Sequence, residues 1–210
     1  MPNWKVHLEV AKRVSKCLNF SESDLEQFMV GNILPDLNNG YIIKNVSKVI
    51  AHKTTHYNEE DMISYMSFYL KYKDILNKEP LILGYYTHLY TDFIWNNNFY
   101  TKIKDYEIYS DLSSEDLKIL KQNDFKRFNN NFMSNKLNIS DYNVILDKSK
   151  LVDRIGLKKD DIIKLANYLE FQKEYDIHYK FYSSNELDIL LEDCVNLVIV
   201  ELKKILTSVE

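Results

Sequence analysis

The segment GYYTHLYTDFIWN, residues 84–96, sets His88 and Asp92 four positions apart, so on a helix both project from one face a turn apart. An imidazole and a carboxylate at that spacing can grip one divalent cation. The flanking run from Leu81 to Ile103 is apolar or aromatic on nearly every side, the pattern of a buried helix. A charged Asp92 within such a helix is costly unless it is paired or bound to a metal. Taken alone, the pair fits a core histidine hydrogen-bonded to a core aspartate as well as it fits a metal site.

The remaining histidines weigh toward a metal. The chain has 5, and His7, His52, His56 and His88 all precede Leu89. Asp36 sits in the turn GNILPD, where Gly31, Asn32 and Pro35 interrupt the helical pattern. His7 lies on the stripe Trp4, His7, Leu8, Ala11, Val14 and Leu18, the inward face of a first helix. His52 and His56 are again four apart, and either or both could face a common site. His56 comes just before Asn58, which reads as the N-cap of the next helix. Zinc takes His and Asp together through three or four protein ligands, with an open position for water in catalytic sites. Other divalent ions use the same donors.

In order, the chain shows an N-terminal Trp, an early helical His, a Pro-Asp turn, Thr-His-Tyr-Asn-Glu-Glu-Asp and then Gly-Tyr-Tyr-Thr-His-Leu-Tyr-Thr-Asp. That order and its separations resemble the zinc-dependent phospholipase C family, which shares an all-helical fold with metal-dependent single-strand nucleases. They also resemble the N-terminal domain of glycosylphosphatidylinositol-specific phospholipase D. The resemblance covers the first hundred residues. It implies that His88, Asp92, His56 and Asp36 form a core zinc site, with Asp92 able to bridge to a second ion held by His7. His52 is either a further ligand or a neighbour of one. In the family the N-terminal tryptophan also supplies its amine and carbonyl to a metal, whereas Trp4 here follows Met1, Pro2 and Asn3. The family places another His a few residues after the helical Asp and later a His-x-x-x-Glu pair, which hold a further zinc. Here Asp92 is followed by Phe93-Ile94-Trp95-Asn96-Asn97-Asn98. Asn96, Asn98, Asp124 and Glu174 are the weak substitutes, so one or two ions are expected, not three. His178, in EYDIHYKFY, reads as an ordinary helical residue.

The expected activity is metal-dependent hydrolysis of phosphoric esters through a metal-activated water, on a phosphoester small molecule or a lipid headgroup. Asp36 is the candidate to orient or deprotonate that water, because a loop carboxylate beside a cation stays ionised at neutral pH. Tyr57, Tyr85 and Trp95 are candidates to shape the pocket. The alternative is a helical protein that keeps the fold and a reduced metal site, and binds a ligand without turnover. Phosphohydrolases of the HD type need an adjacent His-Asp pair, and no histidine here precedes an Asp. The Glu-x-x-His repeat of di-iron bundles is missing, and there is no serine or cysteine nucleophile elbow.

The elements that must position these groups read as helices. With 4 Gly and 3 Pro in 210 residues, the composition predicts an all-α, single compact domain over residues 1–210. The domain is expected to have six to eight helices, one of them a buried central helix carrying His-x-x-x-Asp. The first spans Trp4–Leu18. Overlapping capping boxes at Ser21 and Ser23, with Asp24 and Glu26, open a second reaching Val30. Residues 47–57 form a short helix. Residues 59–76 form an amphipathic one whose inner face is Met62, Tyr65, Met66, Tyr69 and Leu70. Pro80 suits the first turn of the buried helix. A polar helix runs from Ser113 or Ser114 to Phe132, and two more span Lys158–Tyr182 and Ser184–Leu206. The last carries the stripe Leu187, Leu190, Leu191, Cys194, Leu197, Val198 and Ile205. The 16 Tyr and 10 Phe are expected chiefly in the core and its rim. Net charge of -4 gives no pull toward nucleic acid or anionic membrane. Cys17 and Cys194 read as buried thiols. Lys5, Glu9, Lys12, Arg13 and Lys16 interrupt any apolar leader, and no transmembrane run occurs, so a cytoplasmic location is expected.

Overall fold

The structure is a computed structural model that describes residues 2–40, 43–58, 63–107, 112–170, 174–175 and 178–207. Its helices follow in order as α1 (Trp4–Ser15), α2 (Glu22–Gly31), α3 (Leu34–Leu37), α4 (His52–Thr55), α5 (Ser64–Tyr72) and α6 (Pro80–Glu107). Then come α7 (Ser114–Phe128) with a 3-10 turn (Asn129–Phe132), α8 (Tyr142–Ser149), α9 (Lys159–Glu170) and α10 (Ser184–Thr207). No strand occurs among the described residues. Of these helices 8 run eight residues or longer, while α3 and α4 are single turns of 4 residues. The all-helical architecture expected from composition is the one observed.

α6 is the element against which α2, α5, α7 and α10 pack. Pro80 opens it, where its missing N–H costs no helical bond. Residues 81–89 are buried without exception, as the apolar pattern predicts, but the expected all-round burial does not extend to Ile103, since Asn97, Asn98, Tyr100 and Thr101 are exposed. α2 approaches it most closely, and glycine makes that possible. A Cβ at Gly31 would stand 2.1 Å from the Leu81 carbonyl oxygen, and one at Gly84 would stand 2.1 Å from the Phe28 carbonyl oxygen. The two glycines lie on opposite sides of one seam, where backbone meets backbone.

Local signals explain several of the other boundaries. Ser21 caps α2, accepting from the Asp24 N–H, and Ser113 caps α7 in a capping box completed by Asp116. On α1 the stripe Trp4, His7, Leu8, Ala11 and Val14 is buried as its spacing predicts. Lys5 is buried beside it. Its ammonium donates to the carbonyls of Met133, Asn135 and Leu169, tying α1 to the segment after the 3-10 turn and to the last turn of α9. A cation on carbonyls at a helix C-terminus is electrostatically favoured, which offsets its burial.

Several expectations are corrected. α1 ends at Ser15, which leaves Cys17 in an exposed turn, while Cys194 is buried as expected. α5 begins at Ser64 with Ile63 as its N-cap, so Asn58 does not cap it, and residues 59–62, with Met62, lie outside the described residues. Its buried side chains are Phe68 and Tyr72, with Tyr65 and Tyr69 packed alongside, while Met66 and Leu70 are exposed. Aromatic stacking on α6, such as Phe68 on Tyr85 at 4.7 Å, sets that phase. α8 has no counterpart among the expected helices, residues 174–175 and 178–182 lie outside helix where the pattern predicts one to Tyr182, and Leu197 faces solvent. No helix among the described residues is long and apolar enough to cross a membrane.

Substituting Gly84→Ala is expected to force α2 off α6, because the obstacle is a carbonyl and not a movable side chain. The cost should be about 3 kcal/mol, lowering the melting temperature by roughly 6–12 °C. Thermal unfolding followed by circular dichroism checks this.

Candidate metal centre

Five side chains from four separate parts of the chain meet beside α6. α6 contributes His88 and Asp92, α1 contributes His7, α3 contributes Asp36, and His56 stands at the C-cap of α4. All five are buried. The Asp92 carboxylate is central. Its Oδ1 lies 3.3 Å from His7 Nε2, and its Oδ2 lies 3.4 Å from both His56 Nε2 and His88 Nε2. Asp36 approaches from the other side, with Oδ1 3.6 Å from His56 Nε2 and Oδ2 3.9 Å from His88 Nε2. His56 Nε2 and His88 Nε2 are 3.3 Å apart.

These side chains fall into two triads of donor atoms close enough to share an ion, His7–His88–Asp92 and Asp36–His56–His88. The fit to a cation does not rest on proximity alone. Both oxygens of Asp92 and both ring nitrogens of His7 are buried, yet none has a hydrogen-bond partner among the described residues. Buried polar atoms without partners are costly. Imidazole nitrogen and carboxylate oxygen are the donor types that zinc takes, and a cation among them satisfies His7 Nε2 and the Asp92 oxygens.

The surroundings hold two of the three rings at the far edge. His88 Nδ1 lies 2.8 Å from the Asn32 carbonyl, directly beyond the α2–α6 seam, while the Asn32 amide donates to the Gly84 carbonyl. With Nδ1–H donating to Asn32, the His88 Nε2 lone pair faces the cluster. His56 Nδ1 lies 3.1 Å from the His52 carbonyl, with the same consequence. His7 is held instead by stacking on His88, with centroids 3.9 Å apart. Asp36 accepts from the Trp4 indole N–H and from the Asn39 amide, both at 3.1 Å. The turn after α4 closes with Tyr57 N–H donating to Thr54 and Asn58 N–H to Lys53, a Schellman ending that fixes where His56 points.

Charge follows this geometry. Burial, and then the charge of His88, push the His7 pKa down to about 4. Burial works against a charged His88, but Asp92, Asp36 and the Asn32 carbonyl outweigh it and raise its pKa. Burial likewise opposes ionised Asp92, and the neighbouring imidazoles win, holding it well below the ordinary carboxylate range.

Of the residues singled out from sequence, His7, Asp36, His56, His88 and Asp92 come together, and His52 belongs to neither triad. The His52 imidazole is half-buried and stacks on His56 at 3.6 Å, and burial followed by the charge of His56 lowers its pKa to about 4. His178 is exposed and non-helical, correcting the helical reading of that segment. Asn98 accepts from the Tyr182 hydroxyl at 2.9 Å, and Asp124 accepts three backbone N–H groups from residues 180–182. Both are spent on structure, and Glu174 is exposed. Tyr85 bonds the Thr55 carbonyl, and Trp95 is wholly buried against Phe125. Neither they nor Tyr57 line the opening. That opening is a cleft of about 180 Å³ bounded by His56, Asn58, Ile63, Ser64, Asp92, Phe93, Asn96 and Asn97. Spacing and residue type do not mark Asn32, Asn39 or the His52 carbonyl as supports. Two of them act through the backbone, which leaves no residue-type signal.

A family model described as zinc dependent phospholipase C matches residues 6–206, nearly the whole chain. The chain belongs to this family. No curated protein and no solved structure matched it. Membership in a zinc-dependent family agrees with the buried His and Asp groups, which could hold one or two ions. The match also reaches beyond the first hundred residues that carried the resemblance, into α10.

Because a metal must displace the proton that Asp92 and Asp36 favour on His88, zinc affinity is expected to fall as pH drops from 7 to 5. His88, with its raised pKa, gains a proton first, whereas His7 resists protonation until about pH 4. Chelator competition at a series of pH values should show a loss of roughly tenfold per pH unit, one proton for each ion.

Proposed function

We propose that this protein is a zinc-dependent hydrolase of phosphoric esters, a phospholipase C-like phosphodiesterase that works through an activated water. The observation that carries the reading is the set of five buried side chains converging beside an open cleft, with the Asp92 oxygens and His7 Nε2 unmatched. The two triads share His88, whose one free lone pair serves a single ion, so His88, Asp92, His56 and Asp36 would hold that ion, and His7 with Asp92 a second. When bound, the ion supplies positive charge against phosphoryl oxygens and lowers the pKa of water.

The chain's own residues do the rest. Asp36 orients the attacking water and takes its proton. The Trp4 and Asn39 donors occupy one lone pair on each of its oxygens and hold the carboxylate in one plane, leaving acceptor capacity free. Asn58, Ser64, Asn96 and Asn97 give the cleft uncharged polar walls suited to a phosphodiester headgroup, and Ile63 and Phe93 add apolar contact. No Lys or Arg lines it among the described residues, so neutralising a phosphate falls to the ions. His52 serves as a support for His56 through its carbonyl and stacked ring. The substrate is a small phosphoester or a lipid headgroup, and residues 1–210 act as one domain, supported by the extent of the family match.

Asp36→Asn should keep its zinc, measured by elemental analysis, while hydrolysis of a generic phosphodiester falls by roughly 10²-fold or more. His88→Ala, which belongs to both triads, should lose the metal itself. If the zinc-loaded wild type turned over no phosphoester, the chain would be a metal-binding helical protein without catalysis.

A further inference from the structure

Tyr57, next to His56, has φ 57°, and among the described residues it is the one non-glycine residue in the left-handed region. It stands just past the end of α4, where glycine is the usual choice because a side chain is disfavoured in that conformation. Its N–H lies 3.3 Å from the Thr54 carbonyl and the following N–H, of Asn58, lies 2.8 Å from that of Lys53. Both bonds of the helix ending therefore depend on a residue poorly suited to make them. Such strain persists where surrounding structure over-determines the conformation.

The surroundings are specific. The Tyr57 ring is 3% exposed and packs edge-on against Phe68, Tyr72 and Tyr85. The Arg154 guanidinium covers its face at 4.2 Å. Its hydroxyl lies 2.9 Å from that of Tyr72 and donates to Asp153 Oδ1 at 3.3 Å, an oxygen that also accepts from Tyr72 at 2.8 Å. Lys71 of α5 holds the other oxygen of Asp153. If only the backbone turn mattered, glycine would supply it without strain, and a tyrosine so fully engaged indicates that the side chain is used.

We propose that Tyr57 is a positioning residue for His56. Its ring, clamped by Asp153 and Arg154 some 96 residues further along the chain, holds the strained turn that aims His56 Nε2 at Asp36, His88 and Asp92. The inference rests on His56 holding an ion as proposed above. Neither Tyr57 nor Asp153 belongs to the candidate ligands or lines the cleft. An exposed carboxylate near residue 150 thus governs a buried metal site through one aromatic ring.

The test compares wild type with Asp153→Ala, Tyr57→Phe and Tyr57→Gly. Zinc affinity is read by chelator competition, and the ligand geometry by the visible absorption of the cobalt(II)-loaded proteins. Asp153 is an exposed side chain, so its variant folds even if a Tyr57 variant does not. Expected are a loss of about tenfold in zinc affinity and an altered cobalt spectrum for Asp153→Ala and Tyr57→Phe, with no rescue by Tyr57→Gly. Wild-type affinity and spectrum in Asp153→Ala and Tyr57→Phe would overturn the inference, even with lowered melting temperatures. So would wild-type affinity in Tyr57→Gly. A wild type that binds neither metal would overturn the proposed function along with it, whereas binding that the variants leave untouched overturns the positioning role alone.

Discussion

Asp92 is a carboxylate with almost no contact with water, on the enclosed part of α6, and neither of its oxygens has a hydrogen-bond partner among the described residues. Burial alone would neutralise such a group. Three imidazole Nε2 atoms at 3.3–3.4 Å keep it ionised instead, and they come from α1, α6 and the end of α4. The fold can be read as the solution to that one electrostatic demand. α6 has to be enclosed to bury Asp92, and elements distant in sequence have to bring nitrogen to it.

The enclosure and the placement share a cause. Gly31 and Gly84 let α2 lie backbone to backbone on α6, and the same approach brings the Asn32 carbonyl to 2.8 Å from His88 Nδ1. Packing thereby selects the tautomer of a candidate ligand. Each imidazole is held by a different means: His88 by a carbonyl from α2, His56 by the carbonyl of its own preceding turn, His7 by stacking on His88. Asp36 is steadied by the Trp4 indole, so the tryptophan at the start of α1 serves the site through its ring nitrogen.

The second half of the chain has a different part. Asn98 and Asp124, the polar groups following Asp92 that sequence alone would offer as extra donors, are occupied in seating residues 180–182. α10 in turn packs on α1 and α6, the helices that carry His7, His88 and Asp92. These residues buttress the cluster from outside, consistent with a site for one or two ions.

The sequence by itself determined the chemistry on offer and the helices that carry it. His88 and Asp92 share a face because of a four-residue spacing, His7 faces inward because of an apolar stripe, and the caps at Ser21 and Ser113 follow from local hydrogen bonding. Such features depend on neighbours a turn away and survive translation from sequence. The phase of α5, the exposure of Cys17, the supporting roles of Asn32 and Asn39 and the placement of His52 behind His56 were decided only in tertiary structure. Aromatic contacts between α5 and α6 override the simplest apolar stripe, and backbone carbonyls act without any signature in residue type. Above all, the meeting of α1, α3, α4 and α6 at one carboxylate depends on packing between segments up to eighty-five positions apart, which no periodicity within one helix encodes.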